Sequence, residues 1–205
     1  MHGDCIDLMR TMPANCVDLI LTDPPYVANY INRDGQTVYN DDNSRWLKPA
    51  FTEIHRLLKP NRYCISFYGW NHADRFLWHW KRIGLMPVGH LVFVKDYASK
   101  KRSVLSHHEN AYLLSKGEPK LPTNPIRDVL QWDFSGNKLH PTQKPVSILT
   151  PLIVTFSEPG ETVLDPFAGS GTTGVAARLC GRQFILIEKE WHHYQTARER
   201  ISDHR

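Results

Sequence analysis

The residues Thr22-Asp23-Pro24-Pro25-Tyr26 combine side chains that could hold a ligand in a fixed geometry. They follow the apolar run 17–21, which favours a buried strand, and proline both stops a strand and biases the preceding residue away from helix. Asp23 is therefore expected at the carboxyl end of a strand, where open α/β sheets bind ligands. A fixed carboxylate, a proline carbonyl and an aromatic face suit a flat ring that carries an amino group. The alternative is an ordinary strand-to-loop turn.

A second stretch, Asp165-Pro166-Phe167-Ala168-Gly169-Ser170-Gly171, joins a predicted strand to a predicted helix, and the next strand ends in Glu188. This is the βαβ pattern that holds an adenosine moiety, and its glycines permit close approach of the backbone. Glu188 lies 19 residues after Gly169, near the roughly 20 expected of an acid that binds ribose hydroxyls. The Asp165 carboxylate would repel a pyrophosphate and favour an amino or sulfonium cation. The pattern predicts a nucleoside with an amino-acid tail; a tight turn without a ligand is the alternative.

Helices and strands alternate along the chain and must position these two stretches. Amphipathic and apolar spacing predicts helices at 5–12, 47–58, 71–83, 145–157, 174–179 and 191–201, and strands at 17–23, 63–68, 87–94, 110–114, 162–165 and 184–188. Residues 115–143 are expected to be loop-like, and 27–47, 95–108 and 117–139 to serve as recognition loops. The pattern predicts an α/β fold in one domain spanning 1–205, with a mostly parallel central sheet and helices on both faces.

The most basic stretch of the chain, residues 95–108, contains Lys95, Lys100, Lys101 and Arg102. With Tyr97 nearby, these cations could hold the phosphates of a nucleic-acid backbone. A solvated hairpin loop is the alternative interpretation.

Composition narrows the class of protein. The 205 residues are 41% hydrophobic and 22% charged, which is typical of a globular domain, and the net charge of +4 permits a polyanionic partner without requiring one. No apolar run approaches the ~18 residues of a membrane span, and no signal-peptide core is present, so no membrane and a cytoplasmic location are expected. The four cysteines form no Cys-x-x-Cys pair, which predicts free thiols and no metal site.

Taken together, these stretches resemble the amino-group DNA methyltransferases that use S-adenosylmethionine, in the circularly permuted order with the catalytic motif before the cofactor motif. Asp23-Pro24-Pro25-Tyr26 matches the catalytic tetrapeptide, in the Asp form usual among adenine-N6 enzymes. Residues 165–171 match the cofactor loop, and His140-Pro-Thr-Gln-Lys-Pro145 resembles the cofactor motif that precedes it. Gly3-Asp4 resembles the acid end of the family's edge strand.

The resemblance implies a Rossmann-like methyltransferase fold and a role for each matching residue. Asp23 and the Pro24 carbonyl would hold the target amine, Pro25 would complete the motif, and Tyr26 would stack on the base. The adenine of the cofactor would meet Asp4 and Cys5, and its ribose would meet Glu188. The remaining cofactor-binding residues would be Lys144, Asp165, Phe167, Ala168, Gly169, Ser170 and Gly171.

The implied activity is methylation of the N6 amino group of adenine in double-stranded DNA, without a metal. The same amine receptor would fit the N4 amino group of cytosine, and methylation of protein or RNA and a non-catalytic DNA- or cofactor-binding module are further alternatives. The chain departs from the family pattern in two respects. The first edge strand is almost absent, and the segment 117–139 is short for a recognition domain. The chain would therefore read a short site or share the reading within a homodimer.

Overall fold

A single mixed sheet of seven strands organises the chain. The computed structural model describes residues 1–26, 43–98, 103–133 and 143–203. The strands are β1 (Val17–Thr22), β2 (Leu58–Tyr68), β3 (Leu85–Lys95), β4 (His108–Lys116), β5 (Val129–Trp132), β6 (Thr162–Asp165) and β7 (Gln183–Leu186). They are ordered β5-β3-β4-β2-β1-β6-β7 across the sheet. Among these described strands, β4 alone runs opposite to the others, which agrees with the predicted, mostly parallel sheet.

The direction of β4 decides which residues share the ligand-binding edge. The six parallel strands all end at one edge of the sheet, and β4, being reversed, begins there. The first residues of β4 therefore lie beside the last residues of β3, with Phe93 opposite Glu109. The last residue of β3, Lys95, is in turn opposite Trp132 at the end of β5.

Within the described residues, six α-helices flank the sheet. They are α1 (Cys5–Arg10), α2 (Leu47–Leu57), α3 (Ala73–Ile83), α4 (Val146–Phe156), α5 (Thr172–Leu179) and α6 (Trp191–Asp203), and a 3-10 helix at Trp70–His72 precedes α3. None of the helices in the described part of the chain is long and apolar enough to cross a membrane.

Two separate hydrophobic cores show that helices cover both faces of the sheet. Side chains alternate along a strand, so Ile20 of β1 points into one core and its neighbours Leu19 and Leu21 into the other. The first core contains buried residues of α1, α2 and α3, and the second contains buried residues of α4 and α5. All six residues of β1 are buried, as expected for a strand covered on both sides.

Most predicted elements exist, and the differences have local causes. The segment 115–143 was expected to be loop, but it contains β5, a four-residue edge strand that forms by pairing with β3. The strand predicted at 63–68 begins earlier, at Leu58, and an irregular register against β1 accommodates the added residues. The helix predicted at 71–83 has its first residues in the 3-10 turn. The four cysteines are free, as predicted.

Candidate active site

The two predicted stretches lie at the ends of neighbouring strands. β1 pairs in parallel with β6, with Ile20 opposite Leu164. Asp23 follows the last residue of β1, and Asp165 is the last residue of β6. The topology therefore brings the proposed amine receptor and the proposed cofactor loop to the same edge of the sheet, as the sequence predicted.

Both oxygens of the Asp23 carboxylate have a donor. The Tyr26 hydroxyl donates a hydrogen bond of 2.7 Å to Asp23 Oδ1, and the Lys144 ammonium forms an ion pair with Oδ2. The backbone of Tyr26 packs on Gly69, where an added Cβ would lie 2.9 Å from Tyr26 Cβ. The absence of a side chain at position 69 thus allows Tyr26 to turn its hydroxyl onto Asp23.

Glu109 and Lys95 extend this contact into a cluster. Sequence reasoning missed Glu109, and it assigned Lys95 to nucleic-acid phosphates, whereas the Lys95 ammonium is buried against Glu109. Glu109 Oε2 lies 3.2 Å from Lys144 Nζ, and Glu109 Oε1 forms an ion pair with the Lys95 ammonium. We call Asp23, Glu109, Lys95 and Lys144 the four-residue charge cluster. It joins two acids to two lysines, so it is neutral when all four are ionised. An acid at the start of a predicted strand was the available signal, but that strand was predicted to begin one residue later, at Asn110.

Burial makes these interactions strong. The Lys144 and Lys95 side chains are only 6% and 4% exposed. Burial opposes the ionisation of Lys144, but the carboxylates of Asp23 and Glu109 outweigh it and raise the pKa of the ammonium. Burial likewise opposes the ionisation of Glu109, and the two lysines hold its pKa below the ordinary value. Both groups therefore stay charged.

Asp23 is the less stabilised of the two acids. Burial raises the pKa of its carboxyl, the Lys144 ammonium lowers it, and the charge of Glu109 raises it again, with a net upward shift. Burial and the same two carboxylates raise the pKa of Tyr26 well above its ordinary value, so Tyr26 remains a neutral hydrogen-bond donor.

Aromatic rings enclose the Lys144 ammonium. Its Nζ lies 5.0 Å from the centroid of the Phe67 ring, 5.5 Å from that of Tyr26 and 5.8 Å from that of Trp132. Such faces attract a desolvated cation. The result is a site with a flat apolar wall beside a charged acceptor, which suits a ring that bears an amino group.

On the cofactor side, the Asp165 carboxylate is held from two directions. It accepts hydrogen bonds from Thr173 Oγ1 at 2.6 Å and from the Phe167 backbone N–H at 3.1 Å. Burial nevertheless raises its pKa to about 7, because these two bonds only partly compensate and the nearby Asp23 adds repulsion. A cationic ligand would favour the ionised form of this group.

Glu188 is fixed beside the glycine turn. The Gly169 N–H donates to Glu188 Oε2 and the Glu190 N–H to Oε1, both at 2.8 Å. The carboxylate is thereby held with lone pairs to spare for hydroxyl donors, which is the chemistry that a ribose requires. Gly169 has φ +51°, a conformation that glycine adopts readily.

The second glycine of the turn has a packing role. Gly171 has φ +78°, and a Cβ there would lie 2.8 Å from the Ala197 Cβ of α6. Arg200 of the same helix donates to the backbone oxygen of Ser170 at 3.3 Å and to Thr172 Oγ1 at 2.9 Å. The absent side chain at Gly171 thus lets α6 pack against the turn, whereas the sequence suggested close approach to a ligand.

The reduced first strand is a single bridge. His2 pairs in parallel with Glu188 just beyond β7, and the Gly3 N–H donates to the Glu188 carbonyl at 3.0 Å. The Asp4 carboxylate caps α1 through the Ile6 N–H and accepts from Lys189 Nζ at 3.1 Å. Burial, with the charge of Asp4, raises the pKa of Cys5 to about 12, so its thiol stays neutral.

The ligand contacts predicted for two sets of residues stay predictions. Lys144 was assigned to the methionine part of the cofactor, whereas its ammonium lies on Asp23 and Glu109; its cofactor contact stays a prediction. Lys100, Lys101 and Arg102 lie outside the described residues, as do 27–42 of the first predicted loop and 134–142, which include the beginning of the motif 140–145.

Comparison with known proteins identifies the family. A family model described as DNA methylase, for N6 and N4 methyltransferases, matches residues 17–199. The chain belongs to this family. It is 50% identical to YubD of Escherichia coli (strain K12) over 202 residues, covering 98% of this chain and 89% of YubD. It is also 32% identical to the DNA adenine methyltransferase YhdJ of the same organism, covering 92% of this chain and 77% of YhdJ.

Solved structures agree on the fold. The M1.HpyAVI–SAM complex matches with a TM-score of 0.77 at 24% identity, covering 98% of this chain and 97% of that one. The cytosine-N4-specific PvuII DNA methyltransferase matches with a TM-score of 0.80 at 19% identity, covering 99% and 89%. The chain therefore has the Rossmann-like fold of S-adenosylmethionine-dependent methyltransferases, as predicted.

Proposed function

We propose that this DNA methyltransferase transfers a methyl group from S-adenosylmethionine to the N6 amino group of adenine in double-stranded DNA. The observation that carries the proposal is the Asp23 carboxylate, which is only 20% exposed and lies at the end of β1 beside the cofactor loop of β6. The Asp form of the catalytic motif is usual among adenine-N6 enzymes, and YhdJ, which is named a DNA adenine methyltransferase, is 32% identical to this chain.

The residues present fit the cofactor. Glu188, with both oxygens oriented by backbone N–H groups, would accept from the ribose hydroxyls. Asp165 would attract the positively charged methionine part, and Asp4 and Cys5 lie next to the Glu188 bridge, where the adenine is expected. The cofactor supplies a methyl group that is already activated as a sulfonium, so the protein has only to position and polarise the target amine.

Asp23 and the Pro24 carbonyl would perform that polarisation. The lone pair of an aromatic amine is delocalised into its ring, so the nitrogen is a poor nucleophile. Hydrogen bonds from its two N–H groups to Asp23 and to the Pro24 carbonyl would return electron density to the nitrogen and so make it a better nucleophile. Transfer of the methyl group to this nitrogen would break the carbon–sulfur bond, and the alkylated nitrogen would release its extra proton to water. Because the amine is inaccessible in a duplex, the target base must be flipped out of the helix.

Cytosine-N4 is the second candidate, because the same acceptor pair fits either exocyclic amine. Mass spectrometry of nucleosides from the DNA of cells that express the protein separates the two. We expect N6-methyladenine in cells with the wild-type chain and none above background in cells with Asp23→Ala. Finding N4-methylcytosine alone would assign the enzyme to cytosine, and finding neither base would overturn the proposal.

A further inference from the structure

The Lys144 ammonium is ion-paired with the carboxylate that the target amine needs as its hydrogen-bond acceptor. Its ion pair with Asp23 Oδ2 draws electron density away from the carboxylate that has to polarise the incoming base. The proposed function therefore requires an explanation of where this cation goes when the base is inserted. The Lys144 side chain is only 6% exposed, so moving the ammonium out into water would cost its attraction to the rings that surround it.

Glu109 offers the ammonium a second place inside the same site. Its Oε2 is already 3.2 Å from Lys144 Nζ. A small rotation of the lysine side chain would therefore move the ammonium from an ion pair with both acids to one with Glu109 alone. Lys95 holds the other oxygen of Glu109 and fixes the direction of the carboxylate. Lys95 is itself held in place, since its Nζ lies 4.7 Å from the centroid of the Trp132 ring.

We propose that Glu109 is a positioning residue that takes the Lys144 ammonium from Asp23 when the target base is inserted. Asp23 then presents an undivided negative charge to the amine, and the buried cation is never left without a counter-ion. When the base leaves, Lys144 returns to Asp23 and keeps this carboxylate ionised in the free enzyme. This role rests on the proposed function, because it needs an amine that competes with Lys144 for Asp23.

A double-mutant cycle tests the role, because Glu109 would act through Lys144. Glu109→Gln removes the second acceptor and leaves Lys144 on Asp23, so we expect kcat/KM for DNA to fall by at least about tenfold at saturating cofactor. Lys144→Met leaves the carboxylates of Asp23 and Glu109 with one lysine, Lys95, and this excess of negative charge should also lower activity. The double variant restores neutrality, with Asp23 balanced by Lys95, and is expected to be more active than either single variant.

Control measurements separate this role from a structural one. Cofactor affinity and thermal unfolding are measured for every variant. Glu161→Gln removes an acid that is ion-paired with Arg62 beside the amino end of β6, far from the cluster, and should leave kcat/KM unchanged.

Three outcomes distinguish the proposals. Wild-type transfer with a double variant more active than both single variants supports the positioning role. Wild-type transfer with effects of Glu109→Gln and Lys144→Met that simply multiply overturns the role and leaves the proposed function intact. Absence of methyl transfer by the wild-type protein overturns the proposed function and this role with it.

Discussion

The Lys144 ammonium is ion-paired with the Asp23 carboxylate, although 121 positions separate the two residues in the chain. The contact joins the residue after β1 to the residue that lies two positions before α4. It explains how a carboxylate in an aromatic, largely buried site can remain charged before a substrate arrives, because the cation offsets the cost of removing the acid from water.

Asp23→Ala should abolish methyl transfer while cofactor affinity changes by no more than a few-fold. The substitution removes the acceptor of the target amine, and the groups that face the ribose and the methionine part belong to other strands. The loss of a preorganised acceptor of this kind costs about 10²–10³ in rate. Transfer of a labelled methyl group to DNA and calorimetric titration with the cofactor measure the two effects. Asp23→Asn, which keeps the shape and one acceptor oxygen, is the matched variant, and full activity in it would show that the negative charge is not needed.

Cofactor affinity should increase as the pH rises through about 7. Asp165 is ionised only above its raised pKa, and the ionised form attracts the cationic part of the cofactor. Asp165→Asn should bind the cofactor more weakly and without this component of the pH dependence. Calorimetric titrations from pH 5.5 to 8.5 would measure the difference, and parallel curves for the two proteins would contradict the assignment to Asp165.

The same group makes a separate contribution to folding. In the unfolded chain an aspartate ionises near pH 4, whereas folded Asp165 keeps its proton up to about pH 7. The folded state therefore binds an extra proton between these values, and its stability falls as the pH rises, by at most about 1.4 kcal/mol per pH unit. In urea unfolding, the free energy of unfolding of the wild type should fall relative to that of Asp165→Asn as the pH rises from 4 to 7.

Gly171→Ala should destabilise the protein more than Gly160→Ala. Both glycines have positive φ, +78° and +83°, so both substitutions carry the same backbone strain of about 1 kcal/mol. An added Cβ at Gly160 meets nothing within 4 Å. At Gly171 it lies 2.8 Å from Ala197 Cβ and forces α6 away, which lowers the free energy of unfolding by about 1–3 kcal/mol more. Urea denaturation measures both, and equal losses would show that α6 does not constrain the turn.

Lys100, Lys101 and Arg102 should contribute to DNA binding through phosphates. Neutralising each should lower the magnitude of the log–log salt slope of DNA binding by about 0.9, since one fewer counterion is released. Lys59→Gln, at the opposite end of the sheet on Asp18, is the control and should leave the slope unchanged. A slope that the three substitutions do not alter would make these residues ordinary solvated charges.

The part of the site that sequence could predict is the part that is local in the chain. Asp23 and Tyr26 belong to one short motif, and a mostly apolar run followed by two prolines indicates both the strand and where it stops. The glycine turn after β6 and the acid after β7 are encoded in the same local way. These stretches could be placed at one edge of a sheet without knowledge of any long-range contact.

The charge cluster could not be predicted because it depends on the direction of β4. Glu109 reaches Lys144 only because β4 is reversed and its first residues lie beside the segment before α4, and a contact between residues so far apart in the chain leaves no local pattern. β5 escaped prediction for a related reason. It is a four-residue edge strand, and its pairing with β3 places Trp132 beside Lys95.

Lys95 begins the basic segment 95–108 and Glu109 follows it, and both residues also belong to the charge cluster around Asp23. The Lys95–Glu109 ion pair lies where β3 ends and β4 begins, and there the Lys95 N–H also donates to the His107 carbonyl at 2.7 Å. Grafting the connection between β3 and β4 from one relative into another would therefore have to keep Lys95 and Glu109, because a graft boundary outside them would also exchange two members of the four-residue charge cluster.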